Sequence, residues 1–233
     1  MHGARLVHPH DIMGLSANPL SLREQLAFYG AYHTNHVNVF IHIVCVPLIY
    51  MSILSLLLTT GFSLDNVARQ LPEFAQTPLH ELSTSLAKHV PNSVYPHLNL
   101  ASFLSVAYFA YYAVLDVTAA TLLSPLWAAY YFVSWALIEY HPKGQQIALG
   151  VFLFGWIAQF YGHGVHEGRA PALLDNLLGA LVLAPLFVFL EVLFFFGYRP
   201  ELQKWLKNET GRLITQFRTE QASKQRAEAA KSK

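Results

Sequence analysis

YGHGVHEGRAPALLDN, residues 161–176, gathers two histidines (His163, His166), three carboxylates or amides (Glu167, Asp175, Asn176) and Arg169 into a short polar island. On either side, residues 146–160 and 177–197 are almost uninterrupted Leu, Val, Phe, Ala and Trp. A polar island between two such runs belongs at a membrane surface or inside a helix bundle, because ionisable groups are costly in lipid and are kept there for function. Working outward, FYGAYHTNHVNVFIH, residues 28–42, has the same character, with His33, Asn35, His36, Asn38 and His42 leading into another apolar run. The two islands are expected to meet in space and to hold a metal.

Composition supports a membrane setting. Of 233 residues 54% are hydrophobic and 12% charged, where an ordinary soluble domain carries roughly 25% charged residues. The formal net charge is only +1, yet nine of the fifteen Lys and Arg follow residue 197, which predicts a basic tail facing the cytosol. The single cysteine, Cys45, lies in an apolar run, so neither a disulfide framework nor a thiolate metal motif is available. Residues 1–18 have no apolar core of the kind a secretory signal needs. There is no internal repeat, no phosphate-cradling glycine loop and no nucleic-acid signature.

The expected fold is all-α: a polytopic membrane helix bundle of about five apolar helices, with an amphipathic N-terminal helix and a charged C-terminal tail. Asn18 or Ser21 caps the first helix, with Glu24 in the capping-box position. Residues 37–59 carry no charge and exceed the roughly 20 residues that cross a bilayer. The segment 61–98 is expected as an exposed insertion with a short helix near 77–89. Residues 98–138 are expected to form a helical hairpin, and 146–162 and 174–197 the last two apolar helices. Five full crossings would separate the histidine islands from the basic tail, which makes the last run, with Glu191 at its middle, a candidate for a re-entrant or interfacial segment. As domains, the pattern divides into a polar segment 1–20, a membrane-embedded catalytic domain 21–197 and a basic helical tail 198–233.

Spacing then sorts the candidate ligands. On a helix, residues three or four apart share a face, which aligns Asn35, Asn38 and His42, and also His163 with His166 and with Glu167. His33 and His42 are nine apart and can face one site only if the helix breaks between them. The metal candidates are His33, His42, His163 and His166, with Glu167 as a fourth ligand or as the carboxylate that orients an imidazole. Imidazole with carboxylate and open positions is the pattern of non-haem ferrous oxygen chemistry. His2, His8, His10, His80, His89 and His97 read as surface or structural residues, His36 as an even choice, and Glu139 and Glu191 as helix-end or packing residues.

FYGAYHTN (28–35), VNVFIHIVCVP (37–47) and GWIAQFYGHGVHEGRAPALLDN (155–176) resemble the fungal 2-hydroxy fatty acid dioxygenase family, endoplasmic-reticulum membrane enzymes. The likeness continues through Leu183, Pro185 and Glu191 to Gly197. It implies Fe(II) as cofactor, a 2-hydroxy long-chain fatty acid and molecular oxygen as substrates, loss of one carbon, and a place in phytosphingosine breakdown to odd-chain fatty acids. It implies His33, His42 and His163 as ligands and Glu167 as the acidic residue. At positions 36 and 166 the family accepts other residue types, so His166 stands as a ligand on spacing alone. Arg169 is placed as partner of the substrate carboxylate. The competing readings are a non-catalytic lipid-binding or scaffolding membrane protein, a haem-binding membrane protein, and a di-iron desaturase, whose boxes require about eight clustered histidines.

Overall fold

In the computed structural model the described residues are 18–62, 66–67, 69, 72–91, 94, 97–168 and 177–231. Among them the elements are helices: α1 (Leu22–Tyr32), α2 (His36–Leu58), α3 (Glu73–His89), α4 (Leu100–Leu115), α5 (Val117–Tyr140), α6 (Gly144–Tyr161), a π-helical turn (Gly162–Glu167), α7 (Leu177–Phe195) and α8 (Pro200–Lys231). The all-α class is as expected, and α2, α4, α5, α6 and α7 are the five apolar helices. Three helical stretches, His36–Leu58, Val117–Tyr140 and Gly144–Glu167, are long and apolar enough to cross a membrane. A fourth crossing is counted if Leu181–Phe195 and Pro200–Ala227, bent by 116°, act as one broken span. The last apolar run thus counts as a crossing only together with the bend, and α4 is an apolar helix shorter than a span.

The chain divides into two compact units. Residues 1–46, 114–116 and 157–233 form one, and 47–113 with 117–156 the other. In the first unit, α1 begins at Ser21, whose hydroxyl accepts from the Glu24 N–H at 3.4 Å. Glu24 returns its carboxylate not to Ser21 but to the Asn18 N–H at 2.8 Å, so the reciprocal cap reaches three residues further back than the capping-box pattern. Gln25 to Tyr32 are all buried. The reason lies in α8, which covers α1: Ala27, Phe28, Ala31 and Tyr32 share a core with Leu213 and Trp205, and the Arg23 guanidinium sits 5.0 Å from the Trp205 ring centre. The two helices approach closely at Gly30, where an added Cβ would lie 2.5 Å from Thr210 Oγ1.

The turn from α7 into α8 is set by Gly197 at φ +84°. The Tyr198 N–H reaches the Leu193 carbonyl and the Gly197 N–H the Phe194 carbonyl, each at 3.0 Å, the paired bonds by which a left-handed residue closes a helix end. Just beyond, Arg199 ion-pairs at 2.6 Å with Asp116, whose side chain is 1% exposed at the break between α4 and α5.

In the second unit, α4 and α5 run antiparallel as the expected hairpin. Asn99 Nδ2 donates to Tyr131 Oη at 2.9 Å, and Trp127 Nε1 to the Ser105 carbonyl at 3.0 Å. Tyr50 stacks on Trp127 at 4.0 Å and donates to Ser105 Oγ. Hydroxyls and ring N–H groups pair inside an apolar layer because unpaired polar groups there are costly. The helix expected near 77–89 begins earlier, at Glu73. Phe132, Val133, Leu149, Leu153 and Phe154 are exposed, a surface suited to lipid rather than water.

Candidate metal centre

The first unit holds the histidines. α1 ends at Tyr32 and α2 begins at His36, so the break needed between His33 and His42 falls at residues 33–35. His33 is the first residue past α1, its N–H bonding the Gly30 carbonyl. His42 lies nearly two turns into α2, and His163 stands in the π turn that continues α6. Since α2 leaves the site as α6 enters it, one end of each helix supplies ligands.

One ligand nitrogen from each of His33, His42 and His163 lies within 4.8 Å of the others. The rings are mutually edge-on, with centres 4.5 Å apart for His33–His42 and 4.9 Å for the other two pairs. Two imidazoles are oriented by their own helices. His33 Nδ1 bonds the Tyr29 carbonyl at 2.8 Å, and His42 Nδ1 the Asn38 carbonyl at 2.9 Å. An Nδ1–H donated to a carbonyl leaves Nε2 as a free lone pair, the arrangement that fixes metal-binding tautomers. His33 Nε2 and His163 Nδ1 are buried without a hydrogen-bond partner. Buried, unpartnered ring nitrogens converging on one point fit a metal ion. Bonds of about 2.0–2.1 Å to imidazole place ligand nitrogens roughly 3–4 Å apart, so a small inward movement completes the coordination. Burial, reinforced by the neighbouring His42 and His163 rings, holds the His33 pKa well below 6.5, against the opposing pull of its bond to the Tyr29 carbonyl. The imidazole is thereby kept in the neutral form that binds metal.

Glu167 stands outside the cluster. Its Oε1 accepts from the N–H groups of Thr34 at 2.6 Å and Asn35 at 2.7 Å and from Asn38 Nδ2 at 3.3 Å, while Oε2 accepts from Thr34 Oγ1 at 2.9 Å. Rather than binding an imidazole, the carboxylate satisfies the backbone at the α1–α2 break, across 133 residues of sequence. Asn35 adds a bond from Nδ2 to the His166 carbonyl at 3.0 Å.

His166 is likewise not brought to the cluster; its ring packs against Tyr161 at 5.4 Å. The physical cause is the π turn. Its wider turn, closed by i→i+5 bonds, removes the shared face that three-residue spacing provides on an α-helix. The turn ends at Gly168, in the left-handed region at φ +64°, with its N–H on the His163 carbonyl. At its start, a Cβ on Gly162 would collide with Asn38 Oδ1, so glycine allows the two helices to meet. His36 is exposed at the start of α2 and outside the cluster. Arg169 and Asp175 lie outside the described residues.

Of Asn35, Asn38 and His42, Asn35 precedes α2, while Asn38 meets His42 through its backbone carbonyl and Glu167 through its side-chain amide. Tyr29 and Thr34 were not singled out as site residues. The four-residue interval between Tyr29 and His33 repeats that between Asn38 and His42 and was the available signal. Tyr29 stacks on His33, ring centres 3.9 Å apart and planes 15° from parallel. Burial, then the charges of Glu191 and Glu167, raise the Tyr29 pKa well above that of an ordinary phenol.

An all-α protein with membrane-type helices and a buried three-imidazole centre is the class defined so far. The family model described as "2-hydroxy-palmitic acid dioxygenase Mpo1-like" matches residues 20–196, and the chain belongs to that family. It is 34% identical over 191 residues, 82% of this chain and 90% of the relative, to a Saccharomyces cerevisiae protein described as 2-hydroxy-palmitic acid dioxygenase MPO1. No solved structure matches it.

Proposed function

We propose that the chain is an Fe(II)-dependent dioxygenase that removes one carbon from 2-hydroxy long-chain fatty acids, using molecular oxygen. The observation that carries this reading is the convergence of three imidazoles, His42 and His163 buried and His33 half-buried, two of them oriented through Nδ1 by carbonyls of their own chain segments. Family membership supplies the reaction class. Three ligands define a centre for one ion, which favours mononuclear chemistry over a di-iron desaturase. Ferrous iron there would supply Lewis acidity toward the hydroxy acid's oxygens and electrons for dioxygen.

The protein's own part is to orient and to exclude water. His33, His42 and His163 would hold the ion, and Glu167 positions His33 by fixing the backbone at Thr34 and Asn35. Asn38 links Glu167 to the helix that carries His42. The burial of His42 and His163, 3% and 4% exposed, keeps bulk water from the reacting head group. Holding reactants together at such a centre supplies much of a rate. An acyl chain suits the apolar helices that bear the ligands. Arg169 remains proposed as a carboxylate partner; His166, a ligand candidate on spacing, stands apart from the three-imidazole cluster and is expected to be dispensable for iron. The same reading makes the protein a multi-pass enzyme of the endoplasmic-reticulum membrane acting in phytosphingosine breakdown, supported by the helices long and apolar enough to cross a membrane.

The test is elemental analysis of purified protein, combined with turnover of 2-hydroxypalmitate under air and under nitrogen. Iron at about one per chain and an oxygen-dependent fatty acid one carbon shorter are expected. Absence of both leaves the lipid-binding reading in its place.

A further inference from the structure

Tyr29 carries a hydroxyl that the metal centre does not explain. The residue is 6% exposed, and its hydroxyl oxygen is buried with no hydrogen-bond partner among the described residues. A buried donor left unpaired is destabilising, and phenylalanine would fill the same space without that cost. The position is already tied to the centre twice. The Tyr29 carbonyl takes the His33 Nδ1 proton, and the ring stacks on the His33 imidazole. A second ring neighbour is Phe187, with ring centres 4.9 Å apart, which offers nothing to the hydroxyl. Neither Glu167, which accepts from Thr34, Asn35 and Asn38, nor the nearby Glu191 is hydrogen-bonded to it.

A buried, unpaired O–H beside a candidate ligand awaits an acceptor brought by the substrate. We propose that Tyr29 is a substrate-contacting residue whose phenol O–H donates a hydrogen bond to the carboxylate of the bound 2-hydroxy acid. The proposal rests on the dioxygenase reading above. Within it, the carboxylate is the substrate's strongest acceptor, since hydrogen bonds to ionised groups are roughly twice as strong as neutral ones. Tyr29 thereby joins two tasks: carbonyl and ring hold His33, and the hydroxyl reads the acid.

Tyr29→Phe separates these tasks, because it keeps the ring and the backbone and deletes only the hydroxyl. Wild type and variant are purified with iron and compared for metal content, thermal midpoint, and affinity under nitrogen for 2-hydroxypalmitate and for 1,2-hexadecanediol, which keeps the 2-hydroxyl but lacks the carboxylate. The variant is expected to retain wild-type iron and an undiminished midpoint, to bind 2-hydroxypalmitate about tenfold more weakly, and to bind the diol as wild type does. Unchanged 2-hydroxypalmitate affinity overturns the proposal. So does equal weakening of both ligands, or a loss of iron or of stability, either of which makes the hydroxyl a structural group. If iron-loaded wild type itself fails to bind 2-hydroxypalmitate, the dioxygenase reading fails and takes the proposal with it. Wild-type binding with an indistinguishable variant removes the proposal alone.

Discussion

Replacing Glu167 tests whether this carboxylate is a metal ligand or the brace of the α1–α2 break. It accepts two short backbone bonds, one hydroxyl bond and one long amide bond. A hydrogen bond to an ionised group contributes about 1.5–3 kcal/mol, against about 0.5–1.5 for a neutral pair. In Glu167→Gln the amide oxygen takes the Oε1 position and keeps both backbone bonds, while the amide nitrogen faces Thr34 Oγ1, whose hydroxyl can turn to accept. What is lost is charge assistance, about 1 kcal/mol on each backbone bond and so about 2 kcal/mol. Glu167→Ala removes every partner; because Thr34 is exposed and water can replace part of the loss, the cost is about 2–4 kcal/mol. Detergent-purified variants would be followed by thermal unfolding with and without metal, and by iron analysis. Glu167→Gln is expected to be less stable yet to keep iron, and Glu167→Ala to bind iron roughly 10–100-fold more weakly, as removal of a supporting group does. Loss of all iron from Glu167→Gln at unchanged stability would make Glu167 a direct ligand and refute the brace.

His33→Ala, His42→Ala and His163→Ala should each abolish iron binding while the protein still inserts, whereas His166→Phe should keep iron; elemental analysis distinguishes them. Gly162→Ala should lower both stability and metal affinity through collision with Asn38, and the added change Asn38→Ala should recover part of the stability, measured by thermal midpoint. The depressed His33 pKa has a signed consequence. Between the folded pKa and about 6.5 the unfolded chain binds the proton and the folded chain does not. Metal-free protein should therefore lose stability as pH falls below about 6.5, and His33→Phe should flatten that slope; an equal slope in the two would refute it.

The helical class and the apolar runs were legible in the sequence because they depend on local quantities: run length, charge content and the residues that cap or break a helix. The candidates His33, His42 and His163 were legible for the same reason, as ionisable groups in stretches where solvation disfavours them. Spacing also showed that His33 and His42 need a break between them. Three features were decided by tertiary structure alone. The π turn took His166 off the face of His163, a change of helical period that depends on how Gly162 meets Asn38 across 124 residues. Glu167 became a brace because the backbone N–H groups of Thr34 and Asn35, left open by the break, had to find an acceptor, and no local pattern says which carboxylate arrives. The surroundings of Tyr29 were likewise set by distant chain, since Phe187 of α7 meets its ring, and α8, polar in its own sequence, still contributes Leu213 to the core around Phe28 and Tyr32. Periodicity reports which face a helix can bury, and only the assembled fold determines what that face meets.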